Sequence, residues 1–576
     1  MKSKKPPIKK PIAGNQKQRI TPSKVEAKKP FNPLYYSLII TTIFFVVALF
    51  GLMHHQMWRD ELQAWLVARD AHSIPQLFHN MKFEGNPALW HLLLFIITCF
   101  THNPVYMQAL HLVIACGFIF VFNRYSDIEM PYKIMFTFSY FTLFEYSVIS
   151  RSYGLGVLLI FIACALFKNR SSHYILLGII LALLANVTIY GVAVALGIAG
   201  VLGIDYFFHQ THNSKNLKHL LVGLLIIIIG IAFSIYQIMP DKNSTFPAFY
   251  AKEVFEFPRW ASVFSRLFAT YFYIPNTDVA NFWNTNYYYI DGPVVTVPYW
   301  AWFTAHPVYL WTWVYLPVIT LLLSLIIFLR KPMILLLYAG ITAALLVIFY
   351  YTELLFYRYC GYLLITLIAC YWLAKYYPDK KFNNRLLAFL ANLGKKIQTP
   401  FLILILATNI IGAMVAYSKT TNNQFTPSKD AANFIHENKL DTLTIAGTTD
   451  FLISPLAAYL NTKIFYLQLN DFGSYCEWSN RRKNDFSLKE SVASVDSLIH
   501  NGRTKLVWVK SSIPQITNDG KKYTNLEHGL IADDIKLDLL KSFNPGIETS
   551  EMYYIYLVQK VDPKTDDLKG YTRLSF

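Results

Sequence analysis

Two adjacent carboxylates, Asp60 and Glu61, follow directly on the apolar run "SLIITTIFFVVALFGLMHH", and a third acid, Glu84, stands in "FEGNPALW" beside Asn86. Further along, Arg151 and Tyr153 in "SRSYGLGVLL" and Glu353, Arg358 and Tyr359 in "YYTELLFYRYCGY" also flank long apolar stretches. Ionisable groups next to membrane-crossing segments are costly unless they are paired or used. A carboxylate can take a proton from a hydroxyl, and a guanidinium can grip two phosphate oxygens at once. The simpler reading of the acids is that they favour a helix amino terminus and face water. For the arginines it is interfacial snorkelling.

The elements that would position these residues are membrane helices. The 576 residues are 54% hydrophobic, 16% aromatic and only 15% charged, with mean hydropathy +0.33, and the chain repeatedly shows apolar runs of spanning length. Five of the six cysteines lie in apolar segments, and Cys476 alone has a polar context, so no disulfide or zinc framework is implied. The net charge of +17 is concentrated in the tail 1–30, where ten Lys or Arg face one acid, Glu26. Such a Pro-rich, polar run before a first span reads as an unfolded cytoplasmic anchor near anionic lipid, not as a nucleic-acid site. The apolar run behind it lacks a convincing cleavage site.

With the tail inside, basic flanks at "FNRYSDIEMPYK", Lys168 and Arg170, "HQTHNSKNLKH", Arg330 and Lys331, and "KYYPDKKFNNR" alternate with the outer segments. The expectation is about eleven spans with an outer carboxyl end. "PALWHLLLFIITCF" is short and reads as a helix in or dipping into the outer interface. The stretch 240–305, rich in Tyr, Trp and Phe, reads as a loop meeting lipid head groups. In 57–70, Trp58, Leu62, Trp65 and Leu66 share one helical face and Arg59, Gln63 and Asp70 another, which predicts an amphipathic helix lying along the bilayer. No internal repeat is present, which speaks against a transporter of duplicated halves.

Near residue 427 the pattern becomes that of a soluble domain. "TLTIAG", "KLVWVK" and "MYYIYLVQK" read as strands, and "FLISPLAAYL" and "SLKESVASVDSLIHNG" carry helical spacing. The division expected is a tail 1–30, a membrane catalytic domain 31–418 and an extracytoplasmic α/β domain 419–576. The turn "AGTTD" is too weak a signal for a nucleotide site.

The quoted segments resemble the GT-C family of polyprenyl-phosphate-sugar-dependent glycosyltransferases, which includes protein O-mannosyltransferases and aminoarabinose transferases. Asp60-Glu61 is similar to the acidic start of that family's first outer loop, "FEGNPALW" to the segment before its second span, and "SRSYGLGVLL" and "YRYCGYLL" to later Arg-aromatic segments. The resemblance implies an inverting membrane glycosyltransferase in a bacterial inner membrane. Asp60 would be the general base, with Glu61 orienting it or the acceptor. Arg151 and Arg358, assisted by Tyr153 and Tyr359, would bind the donor phosphate, and Glu84, Asn86 and Glu353 would contact substrate or a metal. The acceptor would be a glycan, lipid or protein. No cofactor is required; a divalent metal fits the family, although no His-x-x-x-His or Asp-x-Asp spacing supports a fixed ion, and His91 and His306 are weak ligand candidates. A lipid-diphosphate-dependent polymerase or ligase, and a lipid or solute transporter, are the alternatives.

Overall fold

A computed structural model describes residues 32–209, 214–245, 256–277, 281–287, 307–352, 354–512, 516–518, 521–523, 529–532, 534–562, 569 and 571–573. The basic tail, Glu353 and the whole aromatic stretch 288–306, His306 included, lie outside the described residues. Among the described residues, eight helices are long and apolar enough to cross a membrane, and three shorter apolar ones, Leu89–Thr98, Tyr153–Phe167 and Arg170–Ala185, accompany them. The protein is a multi-pass helical membrane protein with a carboxyl-terminal sheet domain.

The centre of the membrane part is the helix Tyr357–Leu373, every residue of which is buried. Its neighbour Tyr153–Phe167 packs closely because a Cβ on Gly156 would collide with the Tyr362 hydroxyl. That close approach brings the amino ends of the two helices, with Arg151 and Arg358, to the same place. The helix Phe257–Tyr271 corrects the expectation of a loop throughout 240–305. Within it Trp260 stacks on Tyr350 at 4.4 Å and 14°, while Phe257 is exposed. The last span belongs to a 38-residue helix, Arg385–Asn422, with Pro400 inside it. At 1.5 Å per residue it is about 57 Å long, nearly twice a hydrocarbon core. The expected domain boundary at 418/419 falls within its last turn.

The carboxyl-terminal sheet has eight strands in the order Thr572–Arg573, Leu530–Ala532, Ile535–Phe543, Tyr553–Lys560, Lys505–Lys510, Thr444–Thr448, Ile464–Tyr466, Asp471–Gly473. The central three, 505–510, 444–448 and 464–466, are parallel neighbours, and 505–510 pairs antiparallel with 553–560. Helices Asp450–Tyr459 and Leu488–His500 supply the crossovers, and all five segments read from the sequence are present.

With α1 spanning Pro33–Met53, α2 is the helix Arg59–Arg69. It does not lie on a lipid surface. Trp65, Leu66, Val67 and Ala68 are all 0% exposed, because the carboxyl-terminal domain covers the side expected to face water. The polar residues Arg59, Gln63 and Asp70 are the docking face. The Arg59 amide donates to Glu551 (2.8 Å), and the Arg59 guanidinium donates to Ser550 (2.5 Å). Gln63 donates to the Cys476 carbonyl and accepts from its amide, both at 2.9 Å. Ser474 donates to Asp70 (2.5 Å). Cys476 is therefore buried, with Sγ 3.5 Å from an Asp450 oxygen, rather than reachable from solvent.

Glu551 couples this interface to pH. Burial pushes its carboxyl up to about 7, against the opposing bonds from Thr426 and the Arg59 amide. An unfolded glutamate loses its proton near ~4.3. The folded state therefore holds the proton more tightly, and the stabilisation is complete below the unfolded value and lost as pH rises through the folded one. Thermal unfolding of the detergent-solubilised protein should show a melting temperature that declines between about pH 4 and 7. Glu551→Gln, which cannot ionise, should flatten that decline; an identical pH slope in the variant would remove Glu551 from the interface's titration.

Candidate active site

Between the membrane helices and the carboxyl-terminal domain lies a cavity of about 500 Å³. Three chain segments far apart in sequence deliver its charged centre. The Asp60 carboxylate, in the first turn of α2, receives Arg358 Nη2 at 2.9 Å and Arg151 Nη1 at 3.3 Å, with Arg59 Nε at 3.7 Å. Arg151 also donates to the Asp60 carbonyl at 2.5 Å. Burial pushes the Asp60 carboxyl up, but Arg358, Arg151 and Arg59 together outweigh it and hold it below the usual carboxylate range.

Arg358 sits in an aromatic cage, with its guanidinium carbon 4.6 Å from the Phe356 ring centre, 5.1 Å from Tyr359 and 5.6 Å from Trp58. Guanidinium stacks in this way while keeping its donors free at the edge. Its Nε, although buried, has no hydrogen-bond partner. Two guanidinium groups lining one cavity have the chemistry to hold a tetrahedral anion.

Glu61 stands elsewhere. Its carboxylate is fully buried and turned away from the cavity: His55 Nε2 lies 2.7 Å from one oxygen, which also accepts from the Trp58 amide at 3.3 Å, and the Ser150 amide donates to the other at 2.6 Å. Glu61 therefore does not line the cavity, and of its two expected roles these contacts fit orienting Asp60. Glu61 ties the start of α2, just before Asp60, to the residue just before Arg151. Acids in a first helical turn are stabilised by the backbone N–H groups, and this one also sets the spacing of its charged neighbours.

Asp60, Glu84, Asn86, Arg151, Arg358 and Tyr359 all line the cavity. Tyr153 does not; it is buried beneath, 5.8 Å from the Arg151 guanidinium and edge-on to Tyr359 at 5.5 Å. Glu84 accepts from Gln63 at 2.6 Å, and burial raises its pKa despite that bond. His91 lines the cavity too, and burial lowers its pKa to about 4, so the ring is neutral at pH 7. Among the described residues, the group of three acids or imidazoles close enough to share an ion is Asp496, His500 and Asp534, on the surface of the sheet domain, and none of the three lines the cavity. The cavity carboxylates are spent on arginines and on Gln63.

The sequence reading did not anticipate Arg59, Trp58, Gln63, Asn281, Trp283, Phe451, Trp478, Glu548 and Ser550, which also line the cavity. Six of them come from the 281–287 segment or from the carboxyl-terminal domain, where no motif marks them. Asn281 alone carries a local signal, a left-handed φ of 57°, with its side-chain oxygen accepting from the Thr549 amide at 3.3 Å.

No family model matches the chain, and no curated protein matches it. Among solved structures it is similar to a crystal structure of ArnT from Cupriavidus metallidurans bound to undecaprenyl phosphate. The likeness covers 85% of this chain and 97% of that one, at 12% sequence identity and a TM-score of 0.41.

Because Asp60 occupies both arginines, it competes with any incoming anion. Asp60→Asn removes the competitor and leaves two cations underpaired, which costs folding stability but should tighten binding of inorganic phosphate by about tenfold, or 1.4 kcal/mol. Titration calorimetry on both proteins measures this, and equal or weaker phosphate affinity in the variant would show that the arginines serve only to hold Asp60.

Proposed function

We propose that the protein is a GT-C-type inverting glycosyltransferase of a bacterial inner membrane, acting on the extracytoplasmic face, with the amino terminus cytoplasmic and the sheet domain outside. It would move a sugar from a polyprenyl-phosphate donor to an acceptor hydroxyl. The observation that carries this reading is the placement of Asp60 between Arg151 and Arg358 in a cavity at the ends of membrane helices. The motif resemblance supports it.

In this reading the lipid phosphate engages Arg151 and Arg358, drawing their charge from Asp60. An aspartate clamped by three arginines is a poor base; one whose arginines are occupied by phosphate regains basicity. The acceptor oxygen then attacks the anomeric carbon from the face opposite the phosphate. Its proton passes to an Asp60 oxygen, the bond from the anomeric carbon to the phosphate oxygen breaks, and the electron pair leaves on the phosphate, where the two guanidinium groups stabilise it. Tyr359 and the Trp58 and Phe356 rings hold Arg358 in place, and Glu61 holds Asp60 and Arg151 in register. No step draws on a metal; Glu84, Asn86 and His91 are the cavity groups that would meet one.

Asp60→Asn can still support a helix start through its side-chain oxygen, but it cannot take the proton, so turnover with a synthetic polyprenyl-phosphate sugar should fall by ~10²–10⁴-fold while donor binding persists. Near-normal turnover would remove Asp60 from the chemistry. Arg358→Lys keeps the charge and loses the fork and the cage stacking, so donor affinity should fall by roughly 1–3 kcal/mol with the fold retained. Unchanged donor affinity would reduce Arg358 to a partner of Asp60.

A further inference from the structure

The wall of the cavity opposite the membrane helices is built by the carboxyl-terminal domain, and its chemistry differs from that of the arginine pair. Phe451 and Trp478 both line it, partly exposed, and their rings stack with centroids 5.7 Å apart at 28°. Arg482 lies 5.2 Å from each ring centre and is itself held by Asp450 at 2.8 Å and Asn484 at 2.8 Å. The two rings are thus fixed in orientation by Arg482, whose own charge is neutralised, and Phe451 also by the Arg59 guanidinium 5.4 Å from its ring centre. Beside them stand polar groups, Gln63, Glu548 and Ser550, already bonded to the Cys476 backbone and Glu84, to Arg59 and to each other, so that a ligand hydroxyl would share their remaining lone pairs. A rigid π face with a negative quadrupole attracts weakly positive C–H groups, and carboxylates and amides bond hydroxyls. That combination suits one face of a pyranose ring.

A second cavity of about 270 Å³ adjoins the first, and Phe83, Glu84 and Cys476 line both. Among the described residues, none of those lining it belongs to a candidate membrane span. Its cations are paired: Lys82 with Asp241 at 3.1 Å, and Arg481 with Asp471 at 3.3 Å and Glu477 at 3.9 Å. The surface offered is polar and locally neutral, which disfavours a phosphorylated acceptor and suits a chain of hydroxyl groups.

We propose that the carboxyl-terminal domain holds the acceptor, that the acceptor is a neutral glycan of at least two rings, and that one ring rests on Phe451 and Trp478 while the next occupies the second cavity. This rests on the glycosyltransferase reading. The terminal ring then sits between the aromatic wall and Asp60, with a hydroxyl directed at the base.

Saturation-transfer NMR on the full-length protein in detergent tests it, with maltose, cellobiose, lactose, mannobiose and the corresponding methyl monosaccharides as probes. Transfer to both rings of at least one disaccharide is expected. Trp478→Ala should weaken that sugar by about tenfold, Trp478→Phe should retain most of the binding, and Asn480→Trp, which fills the second cavity, should remove transfer to the second ring only. Undecaprenyl phosphate affinity should be the same in all of them. The inference is overturned if no neutral sugar receives transfer from the wild-type protein, if Trp478→Ala leaves transfer unchanged, or if that variant weakens undecaprenyl phosphate equally. Sugar binding in a protein that does not bind undecaprenyl phosphate would instead sink the donor assignment and leave the sugar site standing.

Discussion

The ion cluster of Asp60 with Arg151 and Arg358 is the constraint around which the rest is arranged. Removing such charges from water costs several kcal/mol per ion unless each is compensated. Two cations at the ends of apolar helices therefore demand a carboxylate, and a carboxylate so placed demands cations. Each of the three comes from a different segment, so satisfying the charges draws together α2, the turn before the Tyr153–Phe167 helix and the start of the Tyr357–Leu373 helix. The excess of positive charge in the trio is what leaves room for an anion.

Secondary contacts make that arrangement rigid. Glu61 binds backbone amides on both sides of the cluster, at Trp58 and Ser150, so the distance from Asp60 to Arg151 follows from main-chain geometry and not from two flexible side chains. The aromatic cage does the same for Arg358, replacing water around the guanidinium with ring faces that do not compete for its donors. A site held in this way has little reorganisation left to do when charge develops.

Docking of the carboxyl-terminal domain on α2 completes the cavity. Arg59, Gln63 and Asp70 form one stripe along the helix, and each meets a group of that domain: Glu551 and Ser550, the Cys476 backbone, and Ser474. The same helix thus presents Asp60 to the membrane side and buries its remaining polar face against the sheet domain. The arginine cluster and the aromatic wall of the sheet domain are joined through one eleven-residue element.

The membrane class, most helices, three strands of the last domain and the chemistry-bearing residues Asp60, Arg151 and Arg358 were legible from the chain alone. Hydropathy over a span is a local sum, strand and helix periods are local patterns, and a charge next to an apolar run is conspicuous wherever it lies. Distances between segments are not local. Nothing in "RDELQAWLVAR" distinguishes a polar stripe facing water from one facing another domain, so α2 read as a surface helix; nothing in "FEYSVISRSYG" tells that the Ser150 amide would occupy Glu61. Similarly, "EFPRWASVFSRLFATY" looked like an aromatic loop because amphipathic helices and interfacial segments share a composition. Composition and periodicity determined which residues must leave water and which groups would then need partners. Only tertiary packing decided which partners they found: Glu61 the backbone, Asp60 two arginines, and the stripe of α2 the sheet domain. Burial makes a pairing obligatory without specifying it, and only the approach of distant segments supplies the choice.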